Sequence, residues 1–394
     1  MISKKMMGFI SNSSLIRAMF EEGKRLSEIH GEDNVFDFSL GSPNVEPPEE
    51  IKNNIISILS EEQPNLIHGY MNNSGYIDVR QKIASHLSTL YKVDLNEKNI
   101  IMTCGAAGGL NVLLKTLLDE DDEVITFVPY FLEYKNYVSN YGGKLVPVLT
   151  DLNTFLPDMK LLEAAITAKT KAVIINTPNN PTGVIYPAQV IEQLADVLEK
   201  KQAEYGTDIY LVSDEPYREL NYDGVEIPYV LSHYKNAFVC YSYSKSLSLP
   251  GERIGYIVVG GDMSDFSNTI QGLNVANRIL GFVNAPSLFQ RVIARSLNSE
   301  VDLTVYKKNR DLLYNHLIDL GFTCAKPDGA FYLFPKSPIE DDLKFAEEAK
   351  KFNLLFVPGR AFDAPGYFRL SYCIDPKKVQ KSLDAFTKLA AQYF

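Results

Sequence analysis

Cysteine is scarce: Cys104, Cys240, Cys324 and Cys373 are the only four, and they lie far apart. They form neither a CxxC pair nor the dense spacing of a disulfide framework, which points to unpaired thiols in a reducing compartment. Long apolar runs are missing too. No stretch approaches the roughly 18 apolar residues of a membrane helix. The opening "MISKKMMGFISNSS" has no apolar segment followed by a small-residue cleavage site, so neither a membrane span nor a signal peptide is expected. Positive charge is in deficit, with a formal net charge of −10. That balance repels phosphate backbones and anionic lipid, and no basic patch offsets it, so nucleic acid and membrane are not expected as partners. The five histidines have no metal-ligand spacing, and no metal site is expected. A cytoplasmic protein acting on small molecules is the reading that remains.

What is present is enough chain for two lobes. At 394 residues, with 45% hydrophobic and 22% charged residues, the sequence exceeds the size of about 250–300 residues at which single cores stop growing. From about residue 99, short apolar runs alternate with helical patterns: "NIIMTC" leads into "AAGGLNVLLKTLL", "DEVITFV" into "YFLEYKNYVSNY", and "KAVIINT" into "PAQVIEQLADVLEKKQ". "DIYLVSDE", "AFVCYSYS" and "RIGYIVVG" follow. This alternation predicts an α/β fold whose mainly parallel sheet is covered on both faces. Residues 286–320 are amphipathic, with no Pro or Gly after the first, and predict a long helical stretch bridging the lobes. "GAFYLFP", "NLLFVPG", "YFRLSY" and a closing helix from about Pro376 read as a smaller α+β lobe. The expected division is 1–46 for an N-terminal arm with part of the small domain, 47–285 for the large domain, and 286–394 for the interdomain helix with the small C-terminal domain.

In parallel sheets ligands bind beyond the carboxyl ends of the strands, so the residues that follow each apolar run carry the chemistry. "IIMTCGAAGG" ends in a helix start of small residues, where unpaired backbone N–H groups and the helix dipole favour an anion. Gly105, Ala106 and Ala107 have no bulk to block a phosphate, and Ser242, Ser244 and Arg253 in "YSYSKSLSLPGERIGY" add donors. Lys245 lies among them. A lysine becomes a nucleophile near neutral pH only if its pKa falls from about 10.4. A ligand carrying both phosphate and aldehyde accounts for the group: the donors hold the anion and Lys245 condenses with the carbonyl. Asp214 in "SDEPY" would keep a pyridine nitrogen protonated, with Tyr217 and Asn180 donating to a phenolate oxygen. Taken singly, each feature has a plainer reading as a capped turn, a solvated lysine or the start of a loop.

Jointly, "NTPNNPTG", "SDEPY", "SYSK" with Arg253 eight residues on, and "FRLSY" stand in the order and approximate spacing of one family. The chain resembles the class I/II aminotransferases, pyridoxal 5′-phosphate enzymes of fold type I and aspartate aminotransferase type, over nearly its whole length. The resemblance implies a large domain with a mainly parallel seven-stranded sheet between helices, plus a smaller α+β domain built from both termini. It implies that Lys245 binds pyridoxal 5′-phosphate and shuttles a proton, that Asp214 pairs with the ring nitrogen, and that Asn180 and Tyr217 touch the ring hydroxyl. Gly105, Ala106, Ala107, Ser242, Ser244 and Arg253 would hold the phosphate. Phe131 would stack on the ring, a position often Trp or Tyr in relatives, in a chain with no Trp. Arg369 would clamp the substrate carboxylate, with Gly41 at the entrance. Tyr70 is similar to a tyrosine that reaches the phosphate of the neighbouring subunit, which implies a homodimer with shared sites.

The implied activity moves an amino group from an L-amino acid, aspartate or an aromatic one, to a 2-oxo acid such as 2-oxoglutarate. A carbon–sulfur β-lyase or an amino acid decarboxylase on the same scaffold would carry the same cofactor residues. A dicarboxylate substrate needs a second cation, for which Arg17, Arg278 and Arg360 are candidates.

Overall fold

The computed structural model describes residues 2–11 and 15–394. Its centre is built from the Val- and Ile-rich runs, whose branched side chains pack well on both faces of a covered sheet. Seven strands form it: β1 Ile100–Thr103, β2 Glu123–Val128, β3 Lys144–Leu149, β4 Thr170–Asn176, β5 Tyr210–Asp214, β6 Ala237–Ser242 and β7 Gly255–Val259. Their spatial order is β1-β7-β6-β5-β4-β2-β3. Only β7 runs against its neighbours. Every residue of β5, β6 and β7 is buried, whereas β3 at the edge is largely accessible and carries Pro147, which an interior strand would not tolerate. Helices α1 Gly105–Leu117, α2 Glu133–Asn140 and α3 Ala188–Tyr205 follow β1, β2 and β4. The short α4 Tyr243–Ser246 follows β6 directly.

The segment 286–320 is not one helix. It forms α5 Ser287–Ala294 and α6 Thr304–Asp319, with residues 295–303 between them irregular. No Pro or Gly makes the break. Polar side chains compete for the backbone instead: Ser296 Oγ donates to Val292 O at 2.9 Å, and Asp302 Oδ1 accepts from Thr304 N at 2.9 Å. The closing helix α7 Pro376–Ala390 starts on its proline, with the Asp375 side chain accepting from Lys377 N.

The second core gathers Phe38, Phe331, Phe345, Phe356, Phe368 and Phe386, all buried. Around it, β8 Tyr332–Leu333, β9 Val357–Pro358 and β10 Phe368–Ser371 form a small antiparallel sheet with β10 in the middle. Phe36–Asp37 pairs in parallel with Leu354–Leu355, joining the N-terminal segment to this core. The carboxyl ends of β4, β5 and β6 therefore point at β8 and β10 across the junction of the two cores, and the polar residues of both meet there.

Candidate active site

Lys245 is aimed inward by the turn that ends β6. Ser242 caps α4 by accepting from Ser244 N at 3.2 Å, and the two serine hydroxyls lie 2.6 Å apart. The Lys245 ammonium donates to Gly41 O at 2.6 Å and lies 5.3 Å from the centre of the Phe331 ring. Burial pushes it down to about 8; Arg369 and Arg253 push the same way, and Cys373 opposes them. A neutral amine, able to act as nucleophile or base, is thereby accessible close to neutral pH.

Asp214 ends β5 in a fully buried position. Tyr134 donates to its Oδ2 at 2.6 Å, while Oδ1 has no partner among the described residues. Burial raises the carboxyl to about 7, against the Tyr134 hydrogen bond and with a smaller push from Glu215. A buried carboxylate with a vacant acceptor calls for a cationic N–H donor. Tyr134 was not singled out in the sequence, although "PYFLEY" sets it three residues after Phe131; the two rings meet edge to face at 5.6 Å.

At the other end of the cavity α1 begins at Gly105 with no side-chain cap, leaving its first N–H groups for a ligand. Gly105 has φ 70°, and a Cβ on it would stand 2.8 Å from Arg253 Nη2, so the glycine makes room for the guanidinium. Arg253 is anchored through Nη1 to Pro250 O at 2.9 Å. Ala106, Ala107, Ser242, Ser244 and Arg253 border the same cavity, of about 300 Å³, as Lys245, Asp214 and Phe131.

Arg369 on β10 closes the third side. Its Nη1 donates to Asn180 Oδ1 at 3.0 Å and its Nη2 to Ser39 O at 2.6 Å, and Nε has no partner among the described residues. The guanidinium lies 4.6 Å from the Tyr332 ring centre and 4.9 Å from that of Phe362. Asn180 is held by its own N–H donating to Asn176 Oδ1 at 2.7 Å, and Asn176 Nδ2 donates to Asp214 O at 2.8 Å. Tyr217 and Tyr332 share a hydrogen bond at 2.9 Å. Tyr332, which "GAFYLFP" marked only as part of the smaller lobe, lines the cavity as well.

The model of the family "aminotransferase class I and II" matches residues 33–386. The chain belongs to that family. It is 29% identical to the aspartate aminotransferase of Thermotoga maritima, over 95% of this chain and 96% of that one. Among solved structures, an aminotransferase from Eubacterium rectale superposes with a TM-score of 0.97 at 42% identity, covering 100% of this chain and 99% of the other. Aspartate aminotransferase from Thermus thermophilus with maleate superposes at 0.87 and 26% identity, covering 99% of each chain. The chain is a pyridoxal 5′-phosphate-dependent aminotransferase of the α/β fold type I, and its seven-stranded sheet is the one expected.

The residues of this aminotransferase fit the cofactor. The orphaned Asp214 Oδ1 could receive a pyridinium N–H, and the uncapped start of α1 with Arg253 and the two serines could receive a phosphate. The residues singled out in the sequence for the cofactor and the substrate carboxylate all line the cavity except two. Gly105 lies just behind Arg253, and Tyr70 stands apart from it, 95% exposed. Of the candidates for a second cation, Arg360 is taken up by Asp342 at 2.6 Å and Asp341 at 3.1 Å. Arg278 is exposed on the helix Phe266–Ile279, outside the cavity, and the Arg17 side chain lies outside the described residues. Among the described residues no cluster of His, Cys, Asp or Glu could hold a metal ion, and no helix is long and apolar enough to cross a membrane.

Proposed function

We propose that the cavity around Lys245 is the active site, with the site residues in the roles that the resemblance implies. The reading is carried by one observation: a largely buried lysine amine, a buried carboxylate with one oxygen unpartnered and a buried arginine face one cavity. Pyridoxal 5′-phosphate, when bound, supplies a reactive aldehyde and an electron-withdrawing ring that stabilises negative charge at an amino acid Cα. Asp214 would keep the ring nitrogen protonated, and Asn180 and Tyr217 would donate to the ring hydroxyl. Phe131 would pack on the ring face. Arg369 takes the substrate carboxylate by its fork and thereby fixes which Cα bond faces Lys245. Lys245 Nζ, whose pKa burial brings down to about 8, would take the Cα proton and hold it for return on the same face.

The amino donor we propose is aspartate or an aromatic amino acid, with 2-oxoglutarate as acceptor. Aspartate is supported by the names of the relatives, and an aromatic side chain by the apolar Leu110 and Phe131 on the cavity wall. The active form is proposed as a cytoplasmic homodimer with shared sites. Tyr70, so exposed in one chain, supports this as a residue meant for a second copy, and the four unpaired cysteines suit a reducing compartment. The proposed domain division at 46 and 285 is followed by the two cores only in outline, since Val292, Ile293, Phe334 and Phe362 pack in the large core and Tyr217, Leu220 and Tyr222 in the small one. A panel of amino donors with 2-oxoglutarate tests the reading: glutamate should appear with aspartate or aromatic donors. Release of pyruvate and ammonia from cysteine without any oxo acid, in place of glutamate formation, would overturn it.

A further inference from the structure

We propose that Tyr332 is a positioning residue for the reaction, its hydroxyl donating to Tyr217 so that the Tyr217 proton is presented to the ring hydroxyl of the cofactor. This rests on the proposed role of Tyr217. Two phenols 2.9 Å apart share one proton, and the other is left to point elsewhere. Whichever phenol donates within the pair has none to offer the cavity. The surroundings favour Tyr332 as donor. Its ring lies 4.6 Å from the Arg369 guanidinium, and a cation on the ring face makes the phenol a stronger acid. Burial raises both phenols, and the Arg369 charge opposes that rise in each.

Tyr332 is also fixed in place. It is 2% exposed, with its ring against Phe331 at 4.9 Å and Tyr217 at 5.7 Å. A Cβ on Gly41 would overlap the Tyr332 hydroxyl, so the absence of a side chain there leaves the space in which the hydroxyl sits. The same Gly41 accepts from Lys245 through its carbonyl, which ties the tyrosine pair to the lysine. The charged and titratable groups that act on this corner are Arg369, Asp214, Cys373 and Lys245.

A hydrogen bond directed at the ring hydroxyl favours its ionised form, and with it a low proton affinity at the lysine-bound cofactor. The test is the visible absorption of the cofactor-loaded holoenzyme, titrated with pH, in wild type, Tyr332→Phe, Tyr217→Phe and the double variant. Tyr332→Phe keeps the ring on Arg369 and should raise the midpoint of the visible band by about 0.5 to 1 pH unit, the worth of one net hydrogen bond. Tyr217→Phe should raise it further, and the double variant should match Tyr217→Phe alone, because Tyr332 acts through that hydroxyl. Gly41→Ala, which crowds the Tyr332 hydroxyl from the other side, should move the midpoint in the same direction. An unchanged midpoint in Tyr332→Phe, or additive shifts in the double variant, would overturn the proposal. A wild type that shows no visible band at all would instead remove the role given to Lys245, and this inference with it.

Discussion

Replacing Asp214 by Asn separates what the carboxylate does for the cofactor from what it costs the fold. In the cofactor-free chain burial lifts the carboxyl from an ordinary 3.8 to about 7. A gap of about 3 pH units at about 1.36 kcal/mol each is about 4 kcal/mol. Its sign follows from counting protons. Between about pH 4 and pH 7 the folded state holds a proton that the unfolded state has released, so this stability is fully present below about pH 4 and is lost as the pH climbs to about 7. Asparagine has no charge to bury and keeps an oxygen for the Tyr134 hydroxyl, but its amide finds no acceptor, at a cost of about 1–3 kcal/mol. Cofactor-free Asp214→Asn should therefore be about 1–3 kcal/mol more stable than wild type at pH 8 and should lose that advantage by pH 5. With the cofactor bound the order at pH 8 should reverse, because only the carboxylate gains a cationic partner. Urea unfolding followed by far-UV circular dichroism measures all three comparisons in a chain without tryptophan. A difference between variant and wild type that is the same at pH 5 and pH 8 would refute the reasoning, since it would mean that Asp214 carries no burial penalty.

Two further predictions concern the ends of the cavity. Arg369→Ala removes the guanidinium proposed to take the substrate carboxylate, and kcat/KM for the amino donor should fall by at least about 100-fold, or about 3 kcal/mol, in steady-state kinetics. Gly105→Ala places a methyl 2.8 Å from Arg253 Nη2 on a backbone with φ 70°. The guanidinium must move, and the affinity for pyridoxal 5′-phosphate in equilibrium dialysis should drop by about tenfold or more, with kcat in saturating cofactor much less affected.

The site was legible where local pattern and global topology coincide. Asn180, Asp214 and Lys245 each follow an apolar run directly, and a parallel sheet brings such positions to one edge whatever the rest of the chain does. Tyr134 and Tyr332 were not legible for the opposite reason. Tyr134 meets Asp214 across 80 residues and Tyr332 meets Tyr217 across 115, and neither contact leaves a trace in spacing or periodicity. Gly41 could be tied to the entrance only by resemblance, because its carbonyl reaches Lys245 across 204 residues through the packing of the two cores. The break at residues 295–303 was written in the sequence as Ser296, Asn298, Ser299 and Asp302. An amphipathic count gives such residues no weight against helix, whereas the side chains of Ser296 and Asp302 compete directly for the backbone. The edge position of β3 was likewise present as Pro147, a residue that the apolar count passes over.

The most direct test is chemical. Purified protein saturated with pyridoxal 5′-phosphate is reduced with borohydride, digested and mapped by mass spectrometry. A single pyridoxyl label on the side-chain nitrogen of residue 245 is the predicted result. A label carried by any other lysine, or a digest in which that peptide stays unmodified, would contradict the account.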